Sequence, residues 1–155
     1  MVAVLDPVNQ PSVCDSGIIE LIDSATYQTV FCAYTLVNTD GYGSCVIPAL
    51  FNNRYYFASI KFRNTFHVLT KSAFFLNGQA IAIDLTVPMN TCCNFDTTYG
   101  VAKAYSGDLN FDGSIDLQDF SYLNDDITNM STGYLITDLN GDRAVNALDF
   151  VIWDV

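Results

Sequence analysis

Asp108-Leu109-Asn110-Phe111-Asp112-Gly113-Ser114-Ile115-Asp116-Leu117-Gln118-Asp119 is the stretch on which the reading of this chain turns. Oxygen-bearing side chains fall on alternate residues at its start, and two more carboxylates close it. A tight loop aims only every second residue inward, and a hard cation such as Ca²⁺ takes six to eight oxygens. A twelve-residue calcium loop wants ligands at positions 1, 3, 5, 7, 9 and 12. Here these are Asp108, Asn110, Asp112, the carbonyl of Ser114, Asp116 (directly or through water) and Asp119. Gly113 stands at position 6, where the chain turns sharply. Ile115 at position 8 is apolar, as pairing with a second loop requires.

The second loop follows thirty residues later. Asp138-Leu139-Asn140-Gly141-Asp142-Arg143-Ala144-Val145-Asn146-Ala147-Leu148-Asp149 supplies Asp138, Asn140, Asp142, the Ala144 carbonyl, Asn146 and Asp149, with Val145 matching Ile115. A repeat in register carries far more weight than one loop. Two Asp/Asn-rich turns without metal are disfavoured, because uncompensated carboxylates so close together repel. The expected cofactor is therefore Ca²⁺, two ions, held side by side through Ile115 and Val145. The loops differ. The first brings four carboxylates and the second three, and Arg143 takes the place of glycine. A non-glycine residue at positive φ costs about 1 kcal/mol, so the second site is expected to bind more weakly.

A helix should follow each loop. Phe120, Leu123 and Ile127 fall at helical spacing within Leu117 to Ile127. Leu148, Val151 and Ile152 begin a second stripe, cut short at Val155.

Upstream the texture is different. From Gly17 to Val87 short β-branched and aromatic runs alternate with turns. Candidate strands are Ile18–Ile22, Thr29–Val37, Ser44–Ile47 (returning after the Asn38–Gly41 turn), Tyr55–Phe62, Phe66–Leu69 and Gln79–Val87. In Tyr55–Phe62 one face carries Tyr56, Ala58, Ile60 and Phe62. Met89 to Gly100 reads as a loop and Val101 to Tyr105 as a last strand or connector. Such spacing argues for a mostly β chain, an antiparallel β-sandwich followed by a small α calcium-loop module. The expected division is an extended segment over 1–12, the sandwich over 13–105 and the calcium module over 106–155.

Composition agrees. The net charge of −11 is local: residues 107–155 hold ten Asp against Arg143 alone, while residues 1–106 hold seven acidic groups and five basic ones. Such charge disfavours a nucleic-acid partner. Half the chain is hydrophobic, so disorder is not expected. No apolar run reaches the ~18 residues of a membrane span. Met1–Asp6 does not read as a signal peptide, so a signal is expected to have been removed or to lie outside this sequence. Cys14, Cys32, Cys45, Cys92 and Cys93 lack zinc spacing. They allow one or two disulfides outside the cell, or else buried free thiols.

The calcium loops resemble the dockerin type I repeat, carried at the C-termini of secreted bacterial proteins, through Gly107–Gly113 and Asp138–Asp142 and through Asp at position 12. A second resemblance runs from Asn53 to Asp112. Arg54-Tyr55-Tyr56, Ile60–Asn64, Asp84-Leu85-Thr86 and Tyr105–Asp108 look like a carboxypeptidase-regulatory-like, or transthyretin-like, sandwich leading into dockerin-like loops. Such units imply non-catalytic work in surface display, adhesion or assembly. Dockerins that bind cohesins repeat a recognition pair, often Ser-Thr, at positions 10 and 11. Here Leu117-Gln118 and Ala147-Leu148 match neither that pair nor each other.

Catalysis is not expected. His67 is the only histidine, and no nucleophile elbow accompanies it or Asp84. A carbohydrate-binding module is the alternative from another class, although Trp153 is the only tryptophan and lies in the calcium region. The ends favour assembly. Val2-Ala3-Val4-Leu5 is an apolar stub that can add as a strand to a neighbour's sheet edge, and such a head-to-tail contact builds filaments. Expected partners are thus copies of this chain or another extracellular protein, with a glycan as a further option. Asn129-Met130-Ser131 has the N-glycosylation pattern.

Overall fold

The computed structural model describes residues 13–92, 95–97 and 100–153. The Val2–Leu5 stub lies outside the described residues. Strands β1 (Val13–Asp23) and β2 (Thr29–Asn38) form a hairpin, and β3 (Arg54–Phe62) pairs along the other side of β1. The free side of β3 is shared by β4 (Val68–Thr70) and β5 (Phe74–Leu76), and β6 (Thr91–Cys92) extends β4. All pairs of this six-stranded sheet are antiparallel, in the order β2-β1-β3-β4-β6. A separate ribbon joins β7 (Phe95–Asp96) to β8 (Lys103–Ala104). The β1–β2 turn is held by Asp23, whose carboxylate accepts the N–H groups of Ala25 and Thr26 at 2.9 and 3.0 Å. These backbone bonds hold the Asp23 carboxyl below the usual carboxylate range.

Register fixes the two faces, because side chains alternate along a strand. Gly17, Ile19 and Leu21 share one face with their β2 partners Thr35, Ala33 and Phe31 and their β3 partners Phe62, Ile60 and Ala58. This face is covered: Leu21, Tyr56 and Leu76 are buried against Phe31, Ile47, Phe51 and Phe74. The opposite face carries Ile18, Glu20, Ile22, Tyr34, Leu36, Phe57, Ser59 and Lys61.

The sequence expectations meet the structure unevenly. Ser44–Ile47 does not return as a strand. One bridge forms between Val37 and Gly43, after which Ile47 turns onto the core and a 3₁₀ turn begins at Ala49. Pro48 has no N–H to give a ladder. Gln79–Val87 is irregular as well. The Asn77-Gly78 turn is present, with Gly78 at φ 82°, but Asp84 draws the amide and hydroxyl of Thr86 onto its own side chain at 2.9 and 2.6 Å. Such local bonds compete with a ladder. The pairing segment is instead Phe74–Leu76. Cys14, Cys32, Cys45 and Cys92 are free. Cys14 and Cys45 are half-buried, which pushes their thiol pKa up, while Cys32 and Cys92 are exposed.

Beyond Tyr105 come the two helices, α1 (Leu117–Thr128) and α2 (Ala147–Trp153). The α1 stripe packs as expected, with Leu123 fully buried beside Leu109 and Val145 and with Ile127, Leu135, Ile136, Leu139 and Trp153 around them. Each such buried aliphatic contributes about 1.5–3 kcal/mol relative to exposure. The α2 stripe differs from expectation. Leu148, Val151 and Ile152 are exposed, and the contact with α1 is made by the partly exposed Phe150 and by Trp153, whose rings meet Phe120 at 5.7 and 5.2 Å. Val145 donates its N–H to Ser131. Among the described residues no bridge joins it to Ile115.

Candidate metal centre

The two loops fold alike because Asp at position 12 gathers the same three amides in each. Asp119 Oδ1 accepts the N–H groups of Leu109 (2.7 Å) and Asn110 (3.1 Å), and its Oδ2 accepts that of Asp116 (2.9 Å). Asp149 does the same with Leu139 (2.8 Å), Asn140 (3.1 Å) and Asn146 (2.9 Å). Both carboxylates are fully buried. Asn110 and Asn140 each accept the amide two residues on and donate Nδ2 to the next Asp, Asp112 or Asp142, at 2.9 and 3.0 Å. Position 5 then accepts the amide of position 7, Ser114 or Ala144. Position 9 has a second task. Asp116 caps α1, accepting Gln118 N–H at 2.7 Å, and Asn146 accepts Leu148 N–H at 2.8 Å. An N-cap oxygen satisfies one orphan amide of the helix.

Every sequence-derived ligand therefore lies on its own loop, with its alternation intact. Among the described residues, no three His, Cys, Asp or Glu side chains are grouped so as to hold a metal by themselves. Each loop's donor set is mixed: carboxylates, an Asn carbonyl and a backbone carbonyl, the all-oxygen set of a hard cation.

Does this donor set fit calcium? One atom answers directly. Asp108 is almost wholly buried, and its Oδ1 has no hydrogen-bond partner. A buried acceptor without a partner costs about 1–3 kcal/mol, more when charged. A cation supplies what that oxygen lacks, so the loop fits the ion. The equivalent Asp138 is also buried, but it accepts Asp142 N–H at 3.1 Å and Arg143 N–H at 3.0 Å. In addition, Asn146 Nδ2 reaches the Ala144 carbonyl at 3.0 Å. More of the second loop's oxygens thus already have protein partners.

Residues 106–153 match the family model of the dockerin type I domain. Dockerin type I domains bind calcium, are non-catalytic, and occur in extracellular or cell-surface proteins, where they engage cohesin partners. No curated protein and no solved structure matches this chain. No described helix is long and apolar enough to cross a membrane.

Backbone strain corrects one expectation. Arg143 does sit in the left-handed region, at φ 72°, but Phe111 in the first loop does so too, at φ 65°. The loops use two left-handed positions, 4 and 6. The first has Phe111 and Gly113, and the second has Gly141 and Arg143. Each loop holds one glycine and one strained residue, so glycine replacement does not separate the two sites. The carboxylate count and the orphaned Asp108 oxygen do.

Sequence reasoning missed what ties the loops to the sheet. Arg63, just past β3, donates Nη1 to the Leu135 carbonyl and Nη2 to the Asp138 carbonyl at 3.1 Å. Its Nε lies 3.5 Å from Asp15, and its guanidinium sits 4.2 Å over the Tyr134 ring. Tyr134 in turn bonds Asp15 on β1. Burial, then this bond to Asp15, raises the Tyr134 pKa. Asn64 adds its carbonyl to Gly107 N–H at 2.8 Å. No periodicity marks Arg63 or Tyr134, since they lie outside both repeats. Of the ten Asp in 107–155, Asp126 is structural, joining Ser131 and Thr137 to the end of α1.

Proposed function

We propose that this is a non-enzymatic, secreted, calcium-binding structural protein that works through protein–protein contacts in surface or filament assembly. Asp108, Asn110, Asp112, the Ser114 carbonyl, Asp116 and Asp119 hold one ion. Asp138, Asn140, Asp142, the Ala144 carbonyl, Asn146 and Asp149 hold the other. The observation that carries the calcium half of this reading is the buried, partnerless Asp108 oxygen within a motif repeated thirty residues on. Calcium stabilises these loops by neutralising buried carboxylates, and binding is linked to folding because the liganded state is the folded one. The units of this reading are the β region over 13–105 and the calcium module over 106–155, with the six-stranded sheet as one layer of a sandwich.

The assembly half is supported by the sheet edge. Beyond the Val37–Gly43 bridge, β2 is the end of the strand order, and an unpaired edge accepts a strand from another chain. The apolar segment Val2–Leu5 is the strand offered. Negative-stain microscopy in millimolar calcium and in chelator tests the reading. Filaments that dissolve in chelator support it. Single small particles in both conditions refute self-assembly.

Anchoring to a cohesin is the second reading, favoured by the family match. Leu117-Gln118 and Ala147-Leu148, at positions 10 and 11 of the two loops, are all exposed. A pull-down on immobilised cohesin in calcium separates this reading from self-assembly.

A further inference from the structure

Among the described residues, one face of the six-stranded sheet is largely open, although Ser59 at its middle is buried. A sheet with one solvated face usually alternates apolar inside with polar outside. Here the outer face carries Tyr34 and Leu36 of β2, both exposed, beside Ile18 and Ile22 of β1. It continues through Phe57, on which Tyr27 stacks at 6.1 Å, to Tyr55 and its cross-strand neighbour Phe75 at 5.0 Å. Tyr34 is 82 % exposed and Tyr27 71 %.

The calcium module contributes a wall to this face. Phe111 of the first loop, half-exposed, lies under Lys61 Nζ at 4.3 Å. With Ile18, Tyr34, Phe62 and Arg63 it lines a shallow cavity of about 260 Å³. Position 4 of the second loop is Gly141, which adopts its left-handed φ without strain. The first loop instead keeps a strained aromatic residue there, and strain of this kind clusters at functional surfaces.

We infer that this outer face, with Phe111 as its calcium-positioned wall, is a self-association surface that pairs two copies of the chain. The inference rests on the assembly reading and adds a second, two-fold contact to the β2 edge. Charge and area both select a second copy. The chain's net charge is −11, yet on this face Glu20 and Lys61 cancel, and Arg63 at the cavity is paired with Asp15. In a two-fold pairing the same patch meets itself, so Glu20 of each copy can face Lys61 of the other. Taking about 200 Å² per aromatic side chain, the exposed fractions of Tyr27, Tyr34, Tyr55 and Phe75 alone come to roughly 500 Å². That is most of the roughly 800 Å² each partner gives a standard interface. The second copy would supply the missing layer of the sandwich.

Sedimentation velocity over a protein concentration series tests this, with the native chain and Tyr34→Glu, in calcium and in chelator. Tyr34 is exposed and outside the calcium loops, so the variant should fold, as far-UV circular dichroism will check. Leu36→Lys serves if it does not. The expected result is a calcium-dependent native dimer, with association weakened about thirtyfold or more by Tyr34→Glu, as at an interface hot spot. A native dimer unaffected by either variant overturns the face, and so does a native chain that stays monomeric. Filaments by electron microscopy together with a dimer that survives in Tyr34→Glu would overturn the face and leave the assembly reading standing. Absence of filaments from the native chain would count against that reading itself.

Discussion

Arg63→Met should uncouple the calcium module from the sheet. The Arg63 side chain is 11 % exposed, so its two bonds to the Leu135 and Asp138 carbonyls are shielded from water. Hydrogen bonds to a charged group contribute about 1.5–3 kcal/mol each, and the stacking on Tyr134 adds about 0.5–1 kcal/mol. Methionine keeps most of the apolar stem but none of these bonds. Taking the low end of each range gives a loss of about 3–4 kcal/mol, a large part of the ~5–15 kcal/mol that holds a typical domain together. Asn64 Nδ2 is still 3.4 Å from the Asp138 carbonyl, too long to compensate. The assay is urea denaturation in calcium, followed by Trp153 fluorescence and by pulsed hydrogen exchange of the β1 and β3 amides. Trp153 is the only tryptophan and reports the module, while the β1 and β3 amides report the sheet. The native chain should show coincident transitions. Arg63→Met should separate them, and Arg63→Lys, which keeps the charge without the fork, should fall between. Coincident transitions in Arg63→Met, with a loss under about 1 kcal/mol, would refute the clamp.

Four further outcomes follow from the same geometry. Gly107 has φ 121°, and a Cβ there would lie 2.9 Å from Trp153 Cδ1, so Gly107→Ala should destabilise the module by about 2–4 kcal/mol, read as a lower chelator concentration for unfolding. Arg143→Gly relieves about 1–2 kcal/mol of strain against about 0.4–1 kcal/mol of added unfolded-state entropy, so calcium affinity by calorimetry should hold or rise a few-fold. Phe111→Gly also loses its contact with Lys61 and should be near neutral. The raised Tyr134 pKa stabilises the fold fully below the unfolded value of 10.0, and that contribution is lost as pH rises through the folded value. The urea midpoint of the native chain should therefore fall toward that of Tyr134→Phe on the alkaline side, and a constant gap would contradict this.

How much of this was legible in the sequence depended on whether a signal was local. The repeat was legible as two like loops, since the Asp/Asn alternation is covalent spacing and Asp at position 12 closes each loop from ten residues away. Helix α1 was legible because Phe120, Leu123 and Ile127 share one face. Helix α2 was misread for a definite reason. Seven residues give too few turns to fix a stripe, and the burial of Asp149 and the tilted contact of Trp153 with Phe120 rotate Leu148 and Val151 to solvent. Strands with strong β-branched runs, β2 and β3, were placed within a residue or two. Ser44–Ile47 and Gln79–Val87 looked equally apolar, but Pro48 and the Asp84 side chain redirect their backbones. The Arg63 clamp joins residues more than seventy positions apart, and no one-dimensional pattern encodes such a pair.

The most direct test of the central claim is a calcium titration of the metal-stripped chain by calorimetry, with Trp153 fluorescence read in parallel. Two ions per chain, with Trp153 becoming shielded as they bind and released again by chelator, is the predicted result. No calcium binding, or a Trp153 signal indifferent to both calcium and chelator, would contradict a C-terminal module held folded by metal.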